Sequence, residues 1–212
     1  MARNTKEKAQ ETRERIIDAA TDVFYENGVS NTSLNGVAQA AGVTRGAIYW
    51  HFKNKADLFD AMCNRVREPI YALVEEVSSE KTTDPLGQLL IMGSAFRRSV
   101  VENHNFRKVM TIIYHRYEAT DADDPILLYQ RDWLMHTRES TKRILANAIA
   151  KNQLPHDLDL RLGALMLQTT FSGLMSNWLL MPDSFDLVDD ANIILNAALD
   201  NMRTNPALRK KV

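Results

Sequence analysis

Two short apolar stretches meet at a glycine, and little else in the chain limits its fold so tightly. In TSLNGVAQAAGVTRGAIYWHFKNKADLF, residues 32–59, Leu34, Val37, Ala38 and Ala41 recur at helical spacing before Gly42. This predicts a helix over 34–41, capped by Thr32 or Ser33 and stopped by the glycine. Thr44 then caps another helix that runs only to about Trp50. A helix of two turns is not stable alone in water, so its neighbours must hold it in place, as they would an element being presented. Upstream, Ile16, Ala20 and Phe24 recur at four with Val23 beside them, and Gly28 closes that helix. Three helices thus fall within the first 55 residues, the last two joined by a very short turn. That is the helix-turn-helix plan.

The rest of the chain reads as longer helices. Apolar spacing predicts them over 55–78, 84–101, 104–118, 124–151, 157–180 and 186–203, with breaks rich in Pro, Asp, Ser and Asn. No alternating stretch points to a strand. The expected fold class is therefore all-α, with about nine helices. Residues 1–55 form the helix-turn-helix domain and 56–212 a larger helical domain. Pro69 falls inside the fourth helix and is expected to kink it near Arg65–Val66.

Apolar residues make up 45% of the 212 and charged residues 25%, enough for a sizeable core and against disorder. Residues 1–55 hold eight Lys/Arg against six Asp/Glu, while the whole chain carries a net charge of −1. A modest basic face on the N-terminal part fits that distribution. Cys63 is the lone cysteine, which excludes a disulfide within the chain and a cysteine-based zinc site. It reads as a small buried hydrophobe. No apolar run reaches the ~18 residues of a membrane span. The charged opening MARNTKEKAQETRER has no apolar run behind it, so it is not a signal peptide, and a cytoplasmic protein is expected.

In a helix-turn-helix the second helix lies in the DNA major groove, with its N-terminal residues at base edges. Arg45 can pair bidentately with a guanine edge. Thr44 can bond a phosphate or a base besides capping, and Gly46 lets backbone approach the DNA. Tyr49 and His51 offer polar tips to phosphate. Lys53 and Lys55 add charge, and Lys55 stands at a helix start whose N–H groups attract phosphate. Thr32, Ser33 and Trp50 complete the set expected at DNA. Of Tyr49, Trp50 and Phe52, at least one belongs to the core; Phe52 is assigned there, and Trp50 is divided between packing and the DNA face. Arg3, Lys6 and Lys8 could form an arm along the DNA backbone.

This stretch resembles the N-terminal signature of the TetR family of regulators. Ala20, Phe24 and Gly28 fill its first part. Val37, Ala38, Ala41, Gly42, Val43, Thr44, Gly46, Tyr49, His51, Phe52, Lys55 and Leu58 fill its second. The opening TKEKAQETRERIIDAA, the block GVTRGAIYWHFKNKADLF and SGLMSNWLLMPDSFDL are similar to the AcrR-like branch. The likeness runs on to NPALRK, more weakly between 65 and 165. That branch represses multidrug efflux pumps of the resistance–nodulation–division type. Gly36 departs from the pattern, which often has an acidic residue there. A glycine in mid-helix costs about 0.5–1 kcal/mol against alanine and would loosen the helix.

The resemblance implies a ligand-binding and dimerisation domain from about residue 56, operator DNA as partner, and a hydrophobic small-molecule inducer. Met62, Val66, Met92, Phe96, Met110, Ile113, Tyr114, Gln168, Phe171 and Met175 are the expected ligand residues, methionine giving an adaptable wall. The competing reading of such residues is ordinary core. Tyr114, His115 and Arg116 would supply polar selectivity. The last two helices are expected to form a homodimer through 174–181, which includes Trp178, and through Ile193, Ile194, Ala197, Ala198 and Leu199. Ligand would tilt the fourth helix and alter the spacing of the two recognition helices.

Three other readings compete. An enzyme would need a constellation that is absent: the five histidines are scattered, with no HExxH, nucleophile elbow or phosphate-cradling loop. No metal or other cofactor is expected. A same-family regulator could instead sense one metabolite, control a different operon or act as an activator. A purely structural bundle would leave residues 32–59 unexplained.

Overall fold

The computed structural model describes residues 2–119 and 121–211, and the side chains of all of these except 2–5. Nine α-helices follow one another among them: α1 (Ala2–Asn27), α2 (Leu34–Ala40), α3 (Arg45–His51), α4 (Lys55–Val77), α5 (Pro85–Glu102), α6 (His104–His115), α7 (Pro125–Ala150), α8 (Leu160–Leu180) and α9 (Asp189–Thr204). A 3₁₀ turn at Pro206–Leu208 follows. Each lies within a few residues of its expected span, and the described residues form no strand. The one extended pairing is an isolated bridge between Leu158 and Arg209.

The short helices are bounded as their sequence demands. Ser33 Oγ accepts from the Gly36 N–H at 3.1 Å and Thr44 Oγ1 from the Ala47 N–H at 3.1 Å. Between them Gly42 takes φ +63°. There its N–H donates to the Gln39 carbonyl and that of Val43 to Ala38, at 3.1 and 3.0 Å. This is a Schellman ending, which needs a left-handed residue after the helix. Gly36 sits in the first turn of α2 rather than at its middle, and its N–H is the one Ser33 caps. The expected loosening of mid-helix therefore does not apply.

The chain divides into two compact units. One comprises residues up to Glu68 together with His104–Gln130; the other comprises Pro69–Asn103 together with Arg131 onward. Packing thus parts at Glu68–Pro69, inside α4. Pro69 lies within α4.

The first unit is built on Ile16, Ile17, Ala20 and Phe24 of α1, Val37 and Ala38 of α2, Ile48 of α3, Leu58, Phe59 and Met62 of α4, and Val109 and Ile112 of α6, all buried together. The Phe59 ring lies 6.3 Å from that of Phe24 and 6.1 Å from that of Tyr117. Lys108 of α6 pairs with Asp22 of α1 at 2.6 Å, and Arg65 of α4 with Asp18 at 2.5 Å and with Glu14. Exposed pairs of this kind are worth little each; the apolar cluster holds the unit.

The second unit gathers Leu145, Ala148, Leu158, Ala164, Leu167, Leu195, Leu199 and Met202 around Leu86. Beyond the end of α7, Asn152 at φ 59° is a third left-handed stop, after Gly28 and Gly42. The chain beyond α9 folds back along this unit. Asp159 N–H donates to the Leu208 carbonyl and Lys210 N–H to that of Asp157, both at 2.8 Å. Arg209 caps the end of α9 by donating to the carbonyls of Met202 and Arg203 at 2.9 and 2.8 Å.

Candidate nucleic-acid interface

α3 buries one residue, Ile48, in the first unit. Its remaining faces are available, which is the presented state its length calls for. Arg45, Gly46, Tyr49 and Trp50 are exposed, Trp50 at 72%. The Arg45 guanidinium lies over the Tyr49 ring, 5.6 Å from its centroid. Thr44 Oγ1 accepts from Ala47 and so keeps its own hydrogen to donate outward. Ser33, Thr44 and Lys53 are exposed as well. Seven of the ten residues expected at DNA thus lie on the outside, around the N-termini of α2 and α3 and the end of α3.

The aromatic triplet sorts cleanly. Phe52 is buried, with the Arg13 guanidinium 5.2 Å above its ring. Trp50 points outward and belongs to no core, against the packing share assigned to it. Its indole meets the half-buried His51 ring edge-on at 4.5 Å. Burial, and then the nearby Arg13 charge, hold His51 below the ordinary imidazole range. That shift favours the neutral form of the ring.

Two residues expected at DNA are turned inward. Thr32 is 6% exposed, and its hydroxyl donates to the Gly28 carbonyl at 2.7 Å. Lys55 Nζ donates to the carbonyls of Val29 and Ser30 at 2.8 and 3.1 Å. Burial lowers its pKa, with Asp124 acting in the opposite sense. The ammonium thus satisfies carbonyls of the turn that follows α1. At the start of α4 a protein carboxylate is already present: Asp57 Oδ2 accepts from the Lys53 N–H at 2.9 Å, while Asn54 Oδ1 accepts from the Asp57 N–H at 2.8 Å. Lys55→Met is expected to cost about 1–3 kcal/mol through the abandoned carbonyls, read as a lower urea midpoint. The slope of log affinity against log salt for DNA should not change, whereas loss of a phosphate contact would lower it by about 1.

The arm is helical where it is described. Lys6 and Lys8 lie on α1, and the Arg3 side chain is outside the described residues.

The ten expected ligand residues are shared between the two units. Met62, Val66, Met110, Ile113 and Tyr114 belong to the first; Met92, Phe96, Gln168, Phe171 and Met175 belong to the second. Met62 and Val66 are buried in the first unit's core, with Ile113 packed against it. This is the core reading weighed against the ligand reading. Phe96 of α5 and Phe171 of α8 face each other with centroids 5.7 Å apart. Gln168 is held on both ends, accepting from Arg138 Nε and donating to the Leu134 carbonyl, each at 2.8 Å. Met175 is buried and Met92 half-buried.

Along the last two helices, Leu180, Met181, Ile193, Ile194 and Ala197 are exposed, Ile193 at 68%. Trp178, Ala198 and Leu199 are buried within their own unit. The outward stripe is therefore narrower than the expected one. No helix of the described residues is long and apolar enough to cross a membrane.

Comparison with known proteins matches two family models. Residues 16–62 match bacterial regulatory proteins of the tetR family, and residues 84–204 match the C-terminal region of MAATS-type transcriptional repressors. The transcriptional regulator TtgR of Pseudomonas putida is 40% identical over 210 residues, covering 99% of this chain and 100% of the relative. Among solved structures, NalD, the secondary repressor of the MexAB-OprM multidrug efflux pump of Pseudomonas aeruginosa, superposes with TM-score 0.83 at 33% identity, covering 94% of this chain and 99% of its own. A complex of SmeT with triclosan superposes with TM-score 0.85 at 29% identity, covering 95% and 96%. SmeT is the repressor of the Stenotrophomonas maltophilia efflux pump SmeDEF.

Proposed function

The chain belongs to the TetR family of bacterial transcriptional regulators, and on that premise we propose that it is a ligand-responsive repressor of a multidrug efflux operon. The family is one of DNA-binding regulators and not of enzymes. The observation that carries the reading is the capped, outward-facing α3, which offers Arg45, Tyr49 and Trp50 on a helix too short to stand alone. Relatives that repress efflux pumps, NalD and SmeT, supply the operon class. The pump is of the resistance–nodulation–division type, and the protein works in the cytoplasm.

Two copies bind a palindromic operator, joined through the exposed stripes of α8 and α9. Their recognition helices reach half-sites about 34–36 Å apart. Ser33, Thr44, Arg45, Gly46, Tyr49, Trp50, His51 and Lys53 meet the DNA. Residues 1–55 act as the reader, and 56–212 receive the ligand and form the dimer. Hydrophobic drugs release the operator, and triclosan bound to SmeT supports that ligand class. The signal passes along α4, which both units share. Pro69 withholds a backbone donor from the Arg65 carbonyl one turn earlier, which localises bending there. Pro69→Ala is expected to raise the drug concentration for half-release at least about 5-fold, within the usual range of allosteric coupling. Unchanged operator affinity together with unchanged release would remove the hinge.

Footprinting on DNA upstream of the gene and its neighbours, with and without hydrophobic drugs, tests the whole reading. A palindromic footprint that drugs erase is the expected result. A footprint indifferent to drugs leaves a regulator of other signals, and none at the locus ends the local-repressor reading.

A further inference from the structure

Arginine is seldom fully buried, and when it is, a partner of opposite charge ordinarily accompanies it. Arg97 on α5 has no exposed surface. Its Nη2 donates to Oδ1 of Asn192 on α9, a neutral acceptor, and Asn192 Nδ2 reaches Ser94 Oγ at 3.5 Å. Its Nε and Nη1 are buried with no hydrogen-bond acceptor among the described residues. Burial lowers its pKa, and no carboxylate of the described residues acts against that shift. A charge in this position carries the full cost of desolvation with little in return.

A guanidinium presents two edges with paired N–H groups, Nε with Nη2 and Nη1 with Nη2. Nη2 contributes one hydrogen to each edge, so Asn192 takes up one edge only. The other keeps both its N–H groups, an arrangement that matches the two oxygens of a carboxylate. Gly93 lies one turn before Arg97, and a Cβ there would stand 3.1 Å from Nη1. The bare glycine leaves that nitrogen its room. One turn away along the two helices, the buried residues are Val100 on α5 and Leu195 on α9, both apolar. All of these residues belong to the second unit.

We propose that Arg97 anchors an anion site in the second unit, and that its ligand is a small apolar molecule bearing a carboxylate. The inference rests on the ligand-responsive reading and names the chemistry of an effector for it. No solvent reaches the unpaired nitrogens in the packing described here, so the anion enters when α5 and α9 part locally. Pairing the guanidinium then favours the opened arrangement, and a ligand shifts an equilibrium only through such a difference in affinity.

Thermal unfolding of the full chain with octanoate and benzoate, against octanol and benzyl alcohol, tests this. The carboxylates are expected to raise the melting temperature at saturation and their uncharged counterparts far less. Arg97→Met should lose the carboxylate-specific rise and bind octanoate roughly 10- to 100-fold more weakly by calorimetry. Without ligand it should melt at or above the parent temperature, since it removes a buried charge with no counter-ion. Arg97→Lys keeps the charge without the planar edge, so it should recover part of the carboxylate preference and keep the response to alcohols. Should the methionine variant fail to fold, the lysine variant decides alone. Equal shifts by acids and alcohols in the parent protein overturn the proposal, as does a substituted protein that keeps the full carboxylate preference. Operator release by hydrophobic drugs, followed on the same preparations, reports separately on the repressor reading, which can fail while carboxylate binding stands.

Discussion

Replacing Arg45 with alanine is expected to weaken specific operator binding severely while leaving the fold intact. A bidentate contact to a guanine edge is worth about 1–3 kcal/mol, so two copies in a dimer lower operator affinity by roughly 30- to 10⁴-fold. The side chain is exposed and lies over the Tyr49 ring, so stability should change by no more than about 0.5 kcal/mol. Electrophoretic mobility shifts on operator and on unrelated DNA distinguish the roles. A base contact is lost on operator alone. A phosphate contact is lost about equally on both and lowers the salt slope by about 1. Equal losses on the two DNAs would assign Arg45 to the backbone.

Phe59→Ala is expected to be the most damaging change to stability among these substitutions. The ring is 1% exposed and lies between Phe24 and Tyr117, which come from α1 and from the segment after α6. Removing a buried aromatic costs about 3–5 kcal/mol in transfer and cavity terms together. Against a usual total of about 5–15 kcal/mol, that is a large share. Urea unfolding should show a much lower midpoint at unchanged m, and operator binding should fail on warming before that of the parent does. A loss below about 1 kcal/mol would mean that the site collapses around the gap.

Local chemistry was legible wherever one residue decides it. Gly42 and Gly28 end helices because few other residues accept a left-handed backbone, and Ser33 and Thr44 cap because their oxygens suit an N-terminal turn. Side-chain direction was less legible. Trp50 reads equally as core or surface until α3 is fixed by Ile48. Lys55 reads as a charge for DNA until the turn after α1 places two carbonyls within its reach. Thr32 reads as a cap until Ser33, one residue on, proves to hold that position. Methionine and apolar periodicity mark burial without naming the core that receives it, which is why the expected ligand residues divide between two units. Nothing in the sequence marks Arg97, because arginine on an apolar helix reads as an outward residue. Its burial follows from the docking of α5 on α9, residues nearly a hundred positions apart.

The first unit is interrupted in the chain: residues up to Glu68 close only with His104–Gln130, among them Val109, Ile112 and Ile126 of its core. During synthesis the DNA-reading helices therefore leave the ribosome before the segment that completes them has been made. At about 5–20 residues per second the delay is roughly 3–12 s. For that time the faces of Phe24 and Phe59 await their cover, so a nascent chain is most open to chaperones and to aggregation before residue 130 emerges. A fragment ending at residue 68 would remain in that state, and the reader reaches its working form late, although it is translated early.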